Sequence, residues 1–127
     1  MNMNRRITKV IKGKGRGKLL GYPTINLAIP SGFNEKEGIY ASWVTVNGIK
    51  YKGALHFGPV PTFGEKEKSL EVFLIDAKEN DLNNIKTIEV ELVKKIRDVI
   101  AFTNIHDLSE QIGKDVQEAK KFLSKDL

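Results

Sequence analysis

Asn47-Gly48 stands between two runs rich in β-branched and aromatic residues, Ile39 to Val46 and Ile49 to Phe57. The dipeptide tolerates the positive φ angles of a two-residue hairpin turn, so the two runs are expected to pair antiparallel around it. Ile7 to Lys12, Leu70 to Ile75 and Thr87 to Ile96 read as further strands. In the last of these, Ile88, Val90 and Leu92 alternate with Glu89 and Glu91, which leaves one face dry and one wet. From Asp107 the period changes. Leu108, Ile112, Val116, Ala119 and Leu123 recur at helical spacing, and Asp107 with Glu110 reads as a capping box. Gly113 inside that stretch weakens a helix by roughly 1 kcal/mol relative to Ala. Many short strands followed by one amphipathic helix predict a mainly β fold, a small antiparallel barrel with the helix packed on it.

A chain of 127 residues is long enough to bury its own core and is read as a single domain over 1–127. The absence of cysteine excludes disulfides, thiolate catalysis and thiolate zinc sites together. No apolar leader follows the start, and no run approaches a membrane span, so a cytoplasmic protein without a membrane partner is expected. The net charge of +5 favours phosphates of any kind, nucleic acid included. The lysines at 66, 68, 94, 95, 120, 121 and 125 nonetheless alternate with acidic neighbours and lack interleaved exposed aromatics. They read as solvated surface, and no nucleic-acid partner is expected.

The run Gly13-Lys14-Gly15-Arg16-Gly17-Lys18 precedes Tyr22-Pro23-Thr24-Ile25-Asn26. Alternate glycines let successive N–H groups converge into an anion-binding nest, to which Lys14, Arg16 and Lys18 add charge. Pro23 biases the segment toward an extended form, in which Thr24 and Asn26 project from one face. Their neutral oxygens suit Mg²⁺ when a ligand's phosphates supply the negative charge. A Walker A loop is absent, because Leu19 follows Lys18 and the glycine spacing is one residue short. A Rossmann loop is excluded by Pro23 and the β-branched residues after it. A flexible basic turn between strands accounts for the same residues without a ligand.

Glu71 is the one charge in Leu70-Glu71-Val72-Phe73-Leu74-Ile75, and such a carboxylate is ion-paired, exposed on an edge, or functional. His56 and His106 have no partners at metal-ligand spacing and read as structural. Pro59 and Pro61 stiffen a turn that Thr62 caps, Tyr40 and Trp43 read as core or pocket wall, and the loops 32–38 and 64–68 read as lids over a ligand.

Taken in order, the glycine loop, Leu-Gly-Tyr-Pro-Thr-Ile-Asn (20–26), Gly-Ile-Tyr-Ala (38–41), Gly-Pro-Val-Pro-Thr-Phe (58–63), Leu-Glu-Val-Phe-Leu-Ile-Asp (70–76), Ile-Arg-Asp (96–98) and Phe102 resemble the riboflavin kinase family. The resemblance implies a closed six-stranded Greek-key barrel with a C-terminal helix and ATP-dependent phosphorylation of riboflavin to FMN. It implies Glu71 as general base; Gly13, Lys14, Gly15, Gly17, Lys18, Thr24 and Asn26 around the nucleotide; Thr24 and Asn26 on Mg²⁺ or another divalent cation; and Arg97 and Phe102 against the flavin. In bifunctional relatives an adenylyltransferase domain precedes this module, and a longer parent chain would carry one here. The sequence departs from the family pattern at Lys18, Ile25, Phe73 and Asn83-Asn84, and retains Thr24, Asn26 and Glu71. Two other readings are a non-catalytic barrel that binds flavin or nucleotide, and a basic barrel that binds nucleic acid.

Overall fold

The computed structural model describes residues 5–13, 17 and 20–124. Its strands are β1 (Arg5–Ile11), β2 (Ile25–Leu27), β3 (Gly38–Val46), β4 (Ile49–Gly58), β5 (Ser69–Leu74) and β6 (Thr87–Arg97), followed by the helix α1 (Ile105–Ser124). The strands close into a barrel in the order β1-β2-β5-β4-β3-β6, with every neighbouring pair antiparallel. β3, β4 and β5 run as a meander and β6 returns beside β3, which is the Greek-key arrangement. The expected mainly β architecture, a closed six-stranded barrel with a C-terminal helix, is therefore what the chain forms. The extended segment expected at Thr24 to Asn26 supplies the short strand β2.

The β3–β4 hairpin turns at Asn47 (φ 49°) and Gly48 (φ 81°), the pair of positive angles that a two-residue turn of this type requires. Side chains then alternate. Along β5, Leu70, Val72 and Leu74 enter the barrel with Leu27, Val44, Leu55 and Val90, all nearly inaccessible to solvent. Ser69, Glu71 and Phe73 are left on the outer wall.

That outer wall is covered in part by α1. Ala41 and Ala54 face each other across β3 and β4, and their small side chains let Val116, Ala119 and Leu123 of the helix approach the sheet closely. Ile112, Phe73, Val93 and Ile96 complete this second core. Register shifts in the β3–β6 ladder leave Val93 and Ile96 without direct partners, and the resulting bulges help to turn the end of β6 toward the helix.

The helix starts earlier than the expected capping box, at Ile105. Asn104 is the cap: its Oδ1 accepts the backbone N–H of Asp107 at 2.8 Å, and its Nδ2 donates to the Asp107 carboxylate at 3.2 Å. Glu110 instead lies 3.2 Å from His106 Nε2, one turn away. Sequence periodicity located the apolar face of the helix correctly but could not separate an Asn cap from an Asp cap three residues later.

Two polar contacts tie α1 to the barrel. Ser109 Oγ donates to the Leu20 carbonyl at 2.9 Å. Arg97 at the end of β6 makes a bidentate pair with Asp115, Nε to Oδ1 at 2.8 Å and Nη2 to Oδ2 at 2.7 Å. Asp115 is only 3% exposed and also accepts Gln111 Nε2 at 3.1 Å. Gly113 has a packing role as well: a Cβ there would lie 2.7 Å from the Tyr22 hydroxyl, so the missing side chain makes room for that ring.

Three stability outcomes follow, each read by thermal or denaturant unfolding. Asp115→Ala leaves the Arg97 guanidinium without its buried partner and should lower stability by about 3–5 kcal/mol. Asn104→Ala removes only a cap and should lower it by about 1 kcal/mol. Gly113→Ala should fail to deliver the roughly 1 kcal/mol that an exposed helical Gly→Ala exchange gives, because the added methyl displaces Tyr22.

Candidate active site

One row of residues crosses the outer wall from strand to strand. Ile11 on β1 stands opposite Asn26 on β2, Asn26 opposite Glu71 on β5, Glu71 opposite His56 on β4, His56 opposite Ile39 on β3, and Ile39 opposite Arg97 on β6. Directly paired residues share a face of the sheet, so the row is a consequence of register alone. All six line an open cavity of about 260 Å³ that is also lined by Leu108, Ile112 and Asp115 of α1 and by the 3₁₀ turn Pro61–Phe63.

Glu71 sits at the middle of that row, half-buried. The Thr24 hydroxyl donates to its Oε1 at 2.8 Å, and the Ser69 hydroxyl lies 3.2 Å from its Oε2. A carboxylate has about four lone-pair sites, so two hydroxyl donors aim the group and still leave it able to accept a proton from a third partner. Local sequence explains the arrangement. Ser69 and Glu71 are two apart on one strand and therefore point the same way, while Pro23 sets the extended approach that delivers Thr24.

The glycines expected around the nucleotide are required here by close approach. A Cβ on Gly13 would lie 1.8 Å from Asn26 Nδ2, and one on Gly17 would lie 2.4 Å from the Tyr22 carbonyl and 3.0 Å from Thr24 Oγ1. The Gly17 carbonyl accepts the N–H groups of Tyr22 and Leu20 at 2.8 and 3.1 Å. The backbone at Gly13 and Gly17 thus lies flush against Asn26 and Thr24, and all four residues line the cavity. Lys14, Gly15, Arg16 and Lys18 lie outside the described residues. The donor set of Thr24 hydroxyl, Asn26 amide oxygen and Glu71 carboxylate is made of hard oxygens only and fits a small divalent cation.

Arg97 lines the cavity with its guanidinium fixed by Asp115 and by a bond from Nη1 to the Asp98 carbonyl at 2.9 Å. Lys95 lies beside it: its hydrogen bond to Asp98 pulls that carboxyl below its ordinary value and raises the lysine. Phe102 is placed differently. Its side chain is half-buried and does not line the cavity; its backbone N–H donates to Thr62 Oγ1 at 3.0 Å. That bond also corrects the expected role of Thr62, which ties the 3₁₀ turn to the segment after β6 and makes no cap bond.

Ser69, Asp115 and Lys68 belong to the site and were not singled out for it by sequence reasoning. Ser69 is an ordinary strand-edge residue and carries no signal. Asp115 does carry one, since it falls on the apolar stripe of the helix between Ile112 and Val116. Lys68, expected as plain surface, lines the cavity and pairs with Glu37 at 3.2 Å, joining the two loops expected as lids. His56, expected as structural, also faces the cavity beside Glu71.

Comparison with known proteins identifies the family. The family described as riboflavin kinase (Flavokinase) matches residues 4–123. A bifunctional riboflavin kinase/FMN adenylyltransferase of Bacillus subtilis is 38% identical over 119 residues, covering 91% of this chain and 37% of that protein. The RNA-binding riboflavin kinase RibR of the same organism is 39% identical over 115 residues, covering 89% of this chain and 49% of the relative. The solved structure of a Streptococcus pneumoniae protein described as a macrolide-efflux protein has a TM-score of 0.77 and 26% identity, over 91% of this chain and 38% of its own. This chain thus spans half or less of each of these proteins. Its match along nearly its whole length, with Thr24, Asn26 and Glu71 drawn together in one cavity, places it in the riboflavin kinase family.

Proposed function

We propose that this chain transfers the γ-phosphoryl group of ATP to the 5′-hydroxyl of riboflavin, giving FMN and ADP. The observation that carries the reading is Glu71, held by the Thr24 and Ser69 hydroxyls at the middle of a cavity whose β2 side is the glycine loop, Thr24 and Asn26. Phosphoryl transfer needs alignment and charge neutralisation more than covalent chemistry, and so small a set of groups is sufficient for it.

In this mechanism the Glu71 carboxylate accepts the proton of the attacking hydroxyl as the new O–P bond forms and the bond from the γ-phosphorus to its bridging oxygen breaks. The two hydroxyl donors keep the carboxylate pointed at the cavity before substrate arrives. Gly13 and Gly17 let the backbone come close enough for N–H groups to meet phosphate oxygens. Thr24 and Asn26 would hold a divalent cation such as Mg²⁺, which supplies neutralisation of phosphate charge. Arg97, fixed by Asp115, is assigned to the flavin side; Phe102, expected there with it, lies off the cavity and is linked to it through the bond of its backbone N–H to Thr62. The six residues of the row face one volume, so a hydroxyl between Glu71 and the phosphate side lies between the barrel wall and the residues of α1 and the 3₁₀ turn.

Residues 1–127 act as the kinase domain in this reading, and an adenylyltransferase domain is the partner a longer parent chain would supply. Its place is the cytoplasm, where its nucleotide substrate is held. Small molecules are its partners: several basic residues are engaged locally, Arg5 with Glu89 and Glu91, Lys68 with Glu37 and Lys120 with Asp76. What the description of the RNA-binding relative says belongs to that relative. Among the described residues no helix is long and apolar enough to cross a membrane.

The test is a chromatographic assay of the purified chain with riboflavin, ATP and Mg²⁺, with controls lacking nucleotide or metal. FMN formed only in the complete mixture is the expected result, and bound riboflavin or ATP without FMN would turn the reading toward a binding barrel. Glu71→Gln should lower kcat by ~10²–10⁴-fold while leaving nucleotide affinity near the parent value. Gly13→Ala should shift Asn26 by a good fraction of an ångström and lower kcat/KM by ~10²-fold with the fold retained, as followed by circular dichroism.

A further inference from the structure

The row of residues across the outer wall has a direction. On the β2 side of Glu71 stand Asn26 and, beside it, Gly13 and Thr24; on the β4 side stands His56. If the phosphates occupy the first side, an alcohol attacking in line must reach Glu71 from the second. His56, paired directly with Glu71, is the first polar side chain of the row that it would meet there.

The imidazole is prepared for such a contact. Its Nε2 lies 2.8 Å from the Gly58 carbonyl, and a carbonyl oxygen can only accept, so Nε2 carries the proton. In the neutral ring Nδ1 is then a free acceptor. Among the described residues Nδ1 has no hydrogen-bond partner, and no described side-chain nitrogen or oxygen is both sealed from solvent and unpaired. Nδ1 is therefore open, on a ring that lines the cavity and is held by the bond on its other nitrogen. The same Gly58 carbonyl is 3.3 Å from Ser69 Oγ, which in turn is 3.2 Å from Glu71. The single Ser69 proton can go to only one of these two acceptors, so the His56 Nε2–H is the donor that keeps the Gly58 carbonyl satisfied when Ser69 turns to Glu71. A structural histidine has no need of a cavity-facing, unpaired acceptor.

We propose that His56 is an acceptor-specificity residue, whose Nδ1 accepts a hydrogen bond from a hydroxyl of the alcohol substrate's polyol chain while Glu71 deprotonates the terminal hydroxyl. This rests on the kinase reading above and names the subsite for the hydroxylated chain. It gives a role to a polar ring that stands between Glu71 on one side and the apolar Ala54 and Ile39 on the others.

Two variants separate the contact from the tie to Gly58. In His56→Gln the amide nitrogen falls near the position of Nε2 and keeps a donor for the Gly58 carbonyl, but nothing replaces Nδ1. Its KM for riboflavin should rise by ~10-fold with the KM for ATP and the melting temperature close to the parent. In His56→Asn the amide oxygen falls near Nδ1 and should recover part of that loss. The parent protein gives an independent reading through its two histidines. In long-range ¹H–¹⁵N spectra riboflavin should shift Nδ1 of His56 and leave the exposed His106 unmoved. An unchanged riboflavin KM in His56→Gln, or a His56 Nδ1 signal that does not respond to riboflavin, overturns the assignment. These results differ from failure of the kinase reading, in which the parent chain itself makes no FMN.

Discussion

Alternation along β5 is the constraint on which the rest of the structure depends. Leu70, Val72 and Leu74 must enter the barrel, because its interior is filled by apolar side chains from all around the wall and has no room for charge. Glu71 is therefore forced outward, and with it every residue that register places beside it. A slip of one residue in β5 would bury the carboxylate among leucines and valines and turn three apolar side chains out to water, at a cost comparable to the whole stability of a domain this size. The position of the site is thus a by-product of packing the core.

An outer wall by itself is open to water and would make a poor place for proton and phosphoryl transfer. Helix α1 supplies the second wall, and Ala41 and Ala54 are what allow it near. Buried ion pairs such as Arg97–Asp115 add little net stability compared with apolar contacts, since desolvation offsets the attraction. What the pair adds is definition: the end of β6 and the middle of α1 can meet only where the two-pronged guanidinium matches the carboxylate. The Tyr22 ring fits into the gap at Gly113 and stacks edge-on against Phe73 at 5.5 Å, which connects the helix to the segment leading into Thr24. Fold elements and site residues share the same contacts, so the position of the helix and that of the segment leading into Thr24 are set together.

Much of this was legible in the residues. Asn47-Gly48 and the apolar runs beside it specify the central hairpin through local backbone preference, and Ile88, Val90 and Leu92 declare their buried face by period. Thr24, Asn26 and Glu71 stood out as unusual for their surroundings and do meet in one cavity. The capping residue and the role of Thr62 were misread, because Asn, Asp and Thr all serve as caps and only the backbone's course decides which one does.

By itself the sequence determined which stretches alternate, where the chain turns and which face of α1 is apolar, since these depend on neighbours a few residues away. The tertiary structure alone decided that Asn26, Glu71 and His56 stand side by side, that the Thr24 hydroxyl meets the Glu71 carboxylate, and that Asp115 holds Arg97. Those relations join residues up to 47 positions apart, as in Thr24 to Glu71, through strand register and helix docking. Register is set by the sum of many apolar contacts across the barrel, and no local pattern in the chain carries that sum.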